Sequence, residues 1–158
     1  MTAPRVLEGD VVARGRRVAI VAARFNDFIV ASLVKGATAA WLEHGGPAED
    51  LLIARVPGAF ELPVAARRLA LSGRYDAVVA LGCVIRGDTP HFEYVAGECA
   101  RGLQLASLES GVPIIFGVLT VETVEQALER AATGAGNKGG ESMAAALEMA
   151  SLMARLSS

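Results

Sequence analysis

Four short apolar runs, rich in β-branched residues, alternate along the chain with longer segments whose apolar residues recur at helical spacing. The runs cover residues 17–23, 50–56, 76–85 and 112–119, and the helical segments cover 28–44, 60–71, 90–109, 121–132 and 141–156. Apolar strands that alternate with helices are typical of a parallel sheet covered on both faces. Since crossover connections are right-handed, this pattern predicts a three-layer α/β/α sandwich around a four-stranded parallel sheet.

The composition narrows the class of protein further. A length of 158 residues fits a single domain over residues 1–158. Lys and Arg number 15 against 17 Asp and Glu, which gives a net charge of −2. This charge argues against a nucleic-acid partner, because proteins that bind nucleic acid usually carry an excess of basic residues. No apolar run approaches the length of a membrane span, about 18 residues. However, 53% of the residues are hydrophobic and only 20% are charged, so we expect other subunits of a homo-oligomer to cover part of the surface.

We expect a cytoplasmic protein from its N-terminus and its cysteines. Residues 1–10 include Arg5, Glu8 and Asp10, and they lack the apolar core of a secretory signal. Cys83 and Cys99 form no CxxC motif and pair with no histidine. This usage favours a reducing compartment and predicts neither a disulfide framework nor a bound metal.

The residues that follow each predicted strand are the first candidates for a binding site, because open parallel sheets bind ligands at the carboxyl ends of their strands. Phe25 and Asn26 follow the first strand, and Phe60 and Glu61 follow the second. The aromatic rings would stack on a flat heteroaromatic ligand and Glu61 would accept its hydrogen bonds. Core packing, and an acid at a helix start, explain the same residues, and Asn26 is also a good helix cap.

The loop after the third strand has the residues of an anion site. Gly87 permits close approach of the backbone, and Pro90 begins a helix whose free N–H groups and dipole favour an anion. A plain helix cap by Asp88 or Thr89 also explains the loop, and the carboxylate of Asp88 is unfavourable beside a phosphate. His91 follows in the first helical turn, where it is either a surface residue or a group that transfers protons near pH 7.

Two further features leave a structural and a functional interpretation open. Arg130 either pairs with Gln126 or Glu129 on its own helix or reaches a phosphate as a bidentate ligand. The segment 134–140 (GAGNKGG) is glycine-rich but lies between two helices, where a flexible corner explains it. No GxGxxG follows the first strand and no GxxxxGK[ST] occurs, so these two nucleotide-binding motifs are absent.

Five motifs next to the predicted strand ends resemble the lumazine synthase family, over about residues 11–149. They are AARFNDFI (22–29), VPGAFELP (56–63), LGCVIRGDTPHFEYVA (81–96), FGVLTVETVEQALERA (116–131) and AGNKG (135–139). One such motif is weak, but five in order are specific. The resemblance implies a flavodoxin-like fold and a transferase that uses no metal or organic cofactor.

The resemblance also implies the reaction and its site residues. The family condenses 5-amino-6-(D-ribitylamino)uracil with 3,4-dihydroxy-2-butanone 4-phosphate to 6,7-dimethyl-8-ribityllumazine, the penultimate step of riboflavin biosynthesis, and releases phosphate and water. His91 matches the histidine that transfers protons. The pyrimidine and its ribityl chain would contact Phe25, Ala59, Phe60, Glu61, Cys83, Val84, Ile85 and a Phe116 lent by the neighbouring subunit. The phosphate would contact Asp88, Thr89 and Arg130, and Asn26 and Lys138 are further candidates.

Two residues depart from the family's pattern. Cys83 stands where threonine is common, so a hydroxyl contact is lost while backbone contacts survive. Asp88 is an acid in the phosphate loop, and it puts phosphate affinity in question rather than the fold. Both departures concern substrate binding and leave the implied reaction unchanged.

The resemblance implies a pentamer, with a decamer or an icosahedral shell as larger assemblies. Small residues on the helix 90–109 suit close packing around an axis: Ala96, Gly97, Ala100 and Gly102. The short N-terminal segment would pair with a neighbouring subunit, and riboflavin synthase is an implied partner. The corner at 133–140 carries no insertion, which resembles the members that form shells.

Two other functions fit the same fold. A protein that stores a flavin-like ligand, or forms a shell without synthesis, has no need of His91 and Arg130 together. An electron carrier of the flavodoxin type would bind FMN, and the purified protein would be coloured.

Overall fold

The structure of the protein is a computed structural model that describes residues 2–134 and 136–157. Met1, Ala135 and Ser158 lie outside the described residues. The predicted motif 135–139 and the predicted domain 1–158 therefore include positions for which no structure is described. Each helix in the described ranges is too short or too polar to cross a membrane.

Four parallel strands form one sheet, as the alternation of apolar runs predicts. In chain order they are β1 (Val18–Ala23), β2 (Leu51–Val56), β3 (Ala77–Ile85) and β4 (Ile114–Val121). Their order across the sheet is β2-β1-β3-β4, and each neighbouring pair is parallel. The central strands β1 and β3 are buried almost throughout, because helices cover both faces of the sheet.

Helices on both faces complete the three layers of a flavodoxin-like sandwich. They are α1 (Asp27–Glu43), α2 (Leu62–Leu71), α3 (His91–Ser110), α4 (Val124–Arg130) and α5 (Lys138–Leu156). Helices α1, α4 and α5 share a core with one face of the sheet, which includes the buried Trp41 and Met143. Helices α2 and α3 share a second core with the other face, which includes Leu62 and Leu103. The predicted fold class is confirmed, whereas pairing of the N-terminal segment with a neighbour stays a prediction.

The boundaries around β4 and α4 differ from the prediction. Strand β4 runs from Ile114 to Val121 rather than over 112–119, because its ladder with β3 continues to the pair Ile85 and Val121. Helix α4 begins only at Val124, because the hydroxyl of Thr123 accepts a hydrogen bond from the amide of Gln126 at 3.1 Å and caps the helix. The predicted helix 121–132 is therefore too long at both ends.

Helix α5 begins at Lys138 rather than at residue 141. The side-chain oxygen of Asn137 accepts hydrogen bonds from the amides of Gly139 and Gly140, at 2.8 and 3.1 Å, and so caps the helix. Residues 138–140 of the glycine-rich segment are therefore the first helical turn, whereas Gly134, Gly136 and Asn137 lie outside the helix.

The turns after β1 and β2 also differ from the prediction. Residues Ala59–Glu61 form a separate 3-10 turn, so α2 begins at Leu62 with Pro63 in its first turn. Asn26 occupies the N-cap position of α1, but its backbone is left-handed and its side chain does not cap the helix. The predicted cap is wrong, because this side-chain amide donates to the carbonyl of Cys83.

Strand β2 is less buried than the apolar sequence predicts. It lies at an edge of the sheet, and Leu52 and Ile53 are 38% and 40% exposed. Other large apolar side chains are at least 69% exposed: Val6, Phe25, Phe28, Val64, Tyr94 and Leu108. This surface fits the expected contacts between subunits, which stay a prediction.

The junction of β1 and β3 determines where a site forms. The chain passes from β1 through α1 to β2 on one side, and then crosses back through α2 to β3 on the other. Such a reversal leaves a crevice at the carboxyl ends of the strands, where open α/β sheets bind ligands. Strand β3 also extends beyond β1, since their register ends at Leu81. Residues 83–85 therefore have no β1 neighbour along one backbone edge.

Candidate active site

A cleft of about 920 Å³, here called the first cleft, opens at the carboxyl ends of β1, β2 and β3. The predicted site residues that line it are Phe25, Asn26, Ala59, Phe60, Glu61, Cys83, Val84, Ile85, Thr89 and His91. They come from separate segments of the chain, and the parallel strands bring these segments to one edge of the sheet. Residues that follow three different strands therefore line one continuous cavity.

Two phenylalanines project at this cleft instead of packing in the core. Phe25 is 73% exposed and Phe60 is 58% exposed. Core packing, which explains most phenylalanines, is therefore wrong for these two residues in this chain. Exposed rings at a cleft offer flat apolar faces to a heteroaromatic ligand.

The position of Phe25 is fixed by the turn after β1. Its amide donates to the carbonyl of Pro57 at 3.0 Å. The next residue, Asn26, has φ 63, in the left-handed region that few non-glycine residues adopt. The side-chain amide of Asn26 donates to the carbonyl of Cys83 at 2.8 Å. This bond joins the end of β1 to the end of β3 within the first cleft.

Cys83 lines the first cleft with a buried side chain, and its thiol is not reactive. The side chain is 3% exposed, and burial raises the pKa of the thiol to about 11. At neutral pH the thiol is therefore protonated and a poor nucleophile. Cys99 on α3 is buried as well, and its pKa is raised to about 11 for the same reason. In the described part of the chain, no three Cys, His, Asp or Glu side chains group as metal ligands would.

His91 begins α3 at the edge of the first cleft. Its backbone amide donates to the hydroxyl of Thr89 over 3.4 Å, whereas Pro90 occupies the N-cap position and no side chain caps the helix. The imidazole is exposed, and an exposed imidazole beside a cleft can transfer protons to a bound ligand near neutral pH. Of the preceding loop, Gly87 and Thr89 line the cleft, whereas Asp88 is exposed and does not.

An ion-pair network holds this loop at both ends. Nε of Arg86 donates to both carboxylate oxygens of Glu122, at 2.8 and 3.0 Å, and the guanidinium also pairs with Glu93 in the first turn of α3. Its Cζ lies 4.4 Å from the centroid of the Phe92 ring. The hydrogen bonds with Glu93 and Glu122 raise the pKa of Arg86, and the hydrogen bond from Arg86 lowers the pKa of Glu93 below its ordinary 4.5. Because Phe92 lines the first cleft, the network fixes part of its wall.

A second cleft, of about 400 Å³, lies beside the edge strand β4. Phe116 from β4, Arg130 at the end of α4 and Lys138 at the start of α5 line it. Phe116 is 38% exposed, so it does not pack fully in the core. Arg130 donates to the backbone carbonyl of Gln126 at 3.1 Å, which is the local pairing that the sequence allows. This bond uses one of five guanidinium N–H groups.

The predicted site residues therefore fall into two groups. Among the described residues, the linings of the first and second clefts share no member. His91 and the pyrimidine-type residues belong to the first cleft, whereas Phe116, Arg130 and Lys138 belong to the second. Within a single chain, His91 and Arg130 thus face different cavities.

Several residues of the first cleft were not predicted: Pro57, Gly58, Phe92, Tyr94 and Val95. Tyr94 and Val95 follow His91 by three and four positions, which places them on the same face of α3. That spacing was a usable signal. Phe92 gave no such signal, because its contact with the guanidinium of Arg86 is visible only in the structure.

A comparison with known protein families bears on both clefts. A family model described as 6,7-dimethyl-8-ribityllumazine synthase matches residues 15–154 of the 158 in the chain. The match begins before β1 and ends within α5, so it includes both clefts and the whole sheet. The resemblance drawn from the five motifs is confirmed at the level of the family. The chain therefore belongs to the 6,7-dimethyl-8-ribityllumazine synthase family, the lumazine synthases of riboflavin biosynthesis.

Proposed function

We propose that the protein is a transferase that condenses 5-amino-6-(D-ribitylamino)uracil with 3,4-dihydroxy-2-butanone 4-phosphate to give 6,7-dimethyl-8-ribityllumazine. The family match supports this class of reaction. The observation that carries the proposal is the first cleft, where the exposed rings of Phe25 and Phe60 stand beside Glu61 and His91. A flat pyrimidine with a polyhydroxy chain needs this combination of stacking faces, an acceptor and a proton-transfer group.

The first cleft binds the pyrimidine. Phe25 stacks on the ring, and the backbone edge of residues 83–85 that β1 leaves unpaired hydrogen-bonds to the polar edge of the ring, beside the bond from Asn26 to the carbonyl of Cys83. Ala59, Phe60 and Glu61, in the turn after β2, hold the ribityl chain, and the carboxylate of Glu61 accepts hydrogen bonds from its hydroxyls. Because the side chain of Cys83 is buried, this residue contacts the substrate through its backbone rather than through a side-chain hydroxyl.

The second cleft supplies the phosphate clamp. Arg130 forms a bidentate contact with the phosphate, and Lys138 adds a second positive charge. Thr89 and the loop amides at the start of α3 contribute from the first cleft. Phe116 closes the site against the substrate ring. Asp88 stays a predicted contact, and it lines neither of these two clefts.

The chemistry requires orientation and proton transfer more than a strong nucleophile. The 5-amino group attacks the ketone and loses water to form an imine, and elimination then expels phosphate from this imine. Ring closure by the ribityl-bearing nitrogen onto the new carbonyl releases a second water. His91 moves protons in these steps, and Arg130 stabilises the charge on the departing phosphate. Much of the acceleration comes from holding the two substrates together.

Each complete site combines two chains of a ring-shaped homo-oligomer. The separation of the first and second clefts supports this proposal, because His91 and Arg130 line different cavities of one subunit. In a ring, one face of each subunit meets a different face of its neighbour, so the two clefts can meet. The family resemblance supports a pentamer. A decamer, an icosahedral shell, the riboflavin synthase partner and the cytoplasmic location stay predictions.

The reaction is tested by mixing the purified protein with both substrates. We expect the fluorescence of the lumazine to appear and inorganic phosphate to be released in equal amount, and only when both substrates are present. Each substrate alone is the control. If folded, assembled protein yields neither signal, the proposed reaction is contradicted.

The same experiment separates the two other functions. A protein that only stores or encloses a flavin-like ligand binds the pyrimidine without releasing phosphate. An electron carrier would purify with bound FMN and absorb visible light, whereas the proposed enzyme is colourless before substrates are added.

A further inference from the structure

Asn137 is a buried polar side chain that no step of the proposed reaction uses. It is 4% exposed and lies between the end of α4 and the start of α5. Its amide nitrogen donates to the carbonyls of Ala131 and Ala132, both at 3.0 Å. The same nitrogen donates to the carbonyl of Ser32 on α1 at 3.2 Å. One side chain thus holds the end of α4 against α1.

The oxygen of the same amide holds the start of α5. It accepts from the backbone amides of Gly139 and Gly140, at 2.8 and 3.1 Å. On the side of α1 the packing is tight, because a Cβ on Gly36 would lie 2.1 Å from this oxygen. A Cβ on Gly139 would lie 1.9 Å from the carbonyl oxygen of Leu33, so α1 and α5 are in backbone contact there.

The two peptide segments that Asn137 holds carry the two cations of the second cleft. Ala131 directly follows Arg130, and Gly139 directly follows Lys138. Both cations line the second cleft together with Glu141, so this cavity carries two positive side chains and one acidic side chain. Because Asn137 bonds to the peptide segments next to both cations, it connects the backbone positions from which the two side chains extend.

We propose that Asn137 is a positioning residue that sets the distance between the guanidinium of Arg130 and the ammonium of Lys138, so that a phosphate group fits between them. The inference rests on the proposed function, in which the phosphate group of the substrate lies between these two side chains. Asn137 does not touch the substrate. It acts through its hydrogen bonds to the backbone of Ala131 and Ala132 and to the backbone of Gly139 and Gly140.

Asn137→Asp tests this proposal with little change in shape. A carboxylate still accepts from Gly139 and Gly140, but it cannot donate to the carbonyls at the end of α4. Ser151→Ala is the matched control. Ser151 is also buried on α5, at 5% exposure, where it accepts a hydrogen bond from the amide of Asp10, and it does not line the second cleft.

We expect Asn137→Asp to raise the KM for the butanone phosphate about tenfold or more, with the KM for the pyrimidine within roughly twofold of wild type. Inorganic phosphate should raise the melting temperature of the wild type, and this rise should be lost in Asn137→Asp. Ser151→Ala should lower the melting temperature while both KM values and the phosphate-dependent rise stay as in wild type.

Three results would overturn the proposal: a destabilised Asn137→Asp with both KM values unchanged, equal phosphate protection of variant and wild type, or no phosphate protection of the wild type. If the wild type forms no lumazine, the proposed reaction fails, and the phosphate-dependent melting shift still decides the role of Asn137. If Asn137→Asp does not fold, Gly36→Ala displaces the same amide from α1 and carries the same expected split in KM.

Discussion

His91 is exposed in the first turn of α3, so its replacement removes a proton-transfer group with little effect on packing. We expect His91→Ala to lower kcat about a hundredfold and to leave measurable turnover, because the substrates are still held together. His44→Ala is the control, since His44 ends α1 outside the first cleft. Rates of lumazine formation measure both variants. Loss of all detectable product in His91→Ala would argue against a mainly positional mechanism.

Arg130 carries the phosphate contact in this account. We expect Arg130→Ala to raise the KM for the butanone phosphate about tenfold to a hundredfold, the usual range for a lost charge-assisted bidentate contact, and to change the KM for the pyrimidine far less. Arg130→Lys keeps the charge but loses the planar fork, so its KM should lie between those of wild type and Arg130→Ala. Equal effects on the two substrates would remove Arg130 from the phosphate site.

The two thiols of the chain should be unreactive in the folded protein. Burial raises the pKa of Cys83 and of Cys99 to about 11, so at pH 8 almost no thiolate is present. We expect a thiol reagent to react slowly with the native protein and rapidly after unfolding in guanidinium. Fast reaction of both thiols under native conditions would contradict the buried positions of the two side chains.

At the scale of elements, the Arg86 network connects the end of β3, the start of α3 and the turn before α4. The hydrogen bond from Arg86 lowers the pKa of Glu93, so the folded state binds this proton less tightly than the unfolded state. The contact therefore stabilises the fold at pH values above the ordinary carboxyl value of 4.5. Its contribution is lost as the pH falls through the lowered pKa.

We expect Arg86→Gln to melt at a lower temperature than wild type at neutral pH, and the two proteins to converge once the pH falls below the pKa of Glu93. Arg67→Gln breaks a single exposed pair between Arg67 on α2 and Glu109 on α3, so it should change the melting temperature little at any pH. Melting curves across the acid range measure both variants. A difference that persists at the lowest pH would show that the effect of Arg86 does not come from its ion pairs.

The centres of the strands and helices follow from the sequence, whereas several of their ends do not. Apolar runs and helical spacing are local patterns, so they locate the middle of β3 or α1 directly. The ends depend on contacts between distant residues. Asn137 caps α5 while its nitrogen donates to the carbonyl of Ser32 on α1. The side chain of Asn26 does not cap α1, because it donates to the carbonyl of Cys83 on β3. A single sequence shows these asparagines but does not show which distant backbone groups their side chains bond to.

The candidate site divides in the same way. Because parallel strands end at one edge, the sequence pattern brings Phe25, Glu61 and His91 together without further information. The pattern does not show that Phe116 and Arg130 line a separate cleft, since both lie near the same strand. The second cleft is formed by side chains of β4, α4 and α5, so its position depends on how these three elements pack. The chemical role of each residue came from the family resemblance rather than from the pattern.

At the scale of the whole molecule, the proposed ring of subunits accounts for both the exposed apolar side chains and the two separate clefts. Leu108 and Val64 are 70% and 69% exposed in the single chain, which is costly unless a neighbour covers them. A ring of identical subunits covers such surface through contacts between unlike faces. The same contacts would join the first cleft of one subunit to the second cleft of the next.

The measurement that tests the shared site most directly mixes two variants of lowered activity. One carries His91→Ala and the other Arg130→Ala, and they are unfolded together in equal amounts and reassembled. If each site takes His91 from one chain and Arg130 from its neighbour, about a quarter of random interfaces contain both wild-type residues. We expect activity to rise well above that of either variant, towards about a quarter of wild type. If mixing restores no activity although mass measurement confirms that subunits have exchanged, the shared site is contradicted.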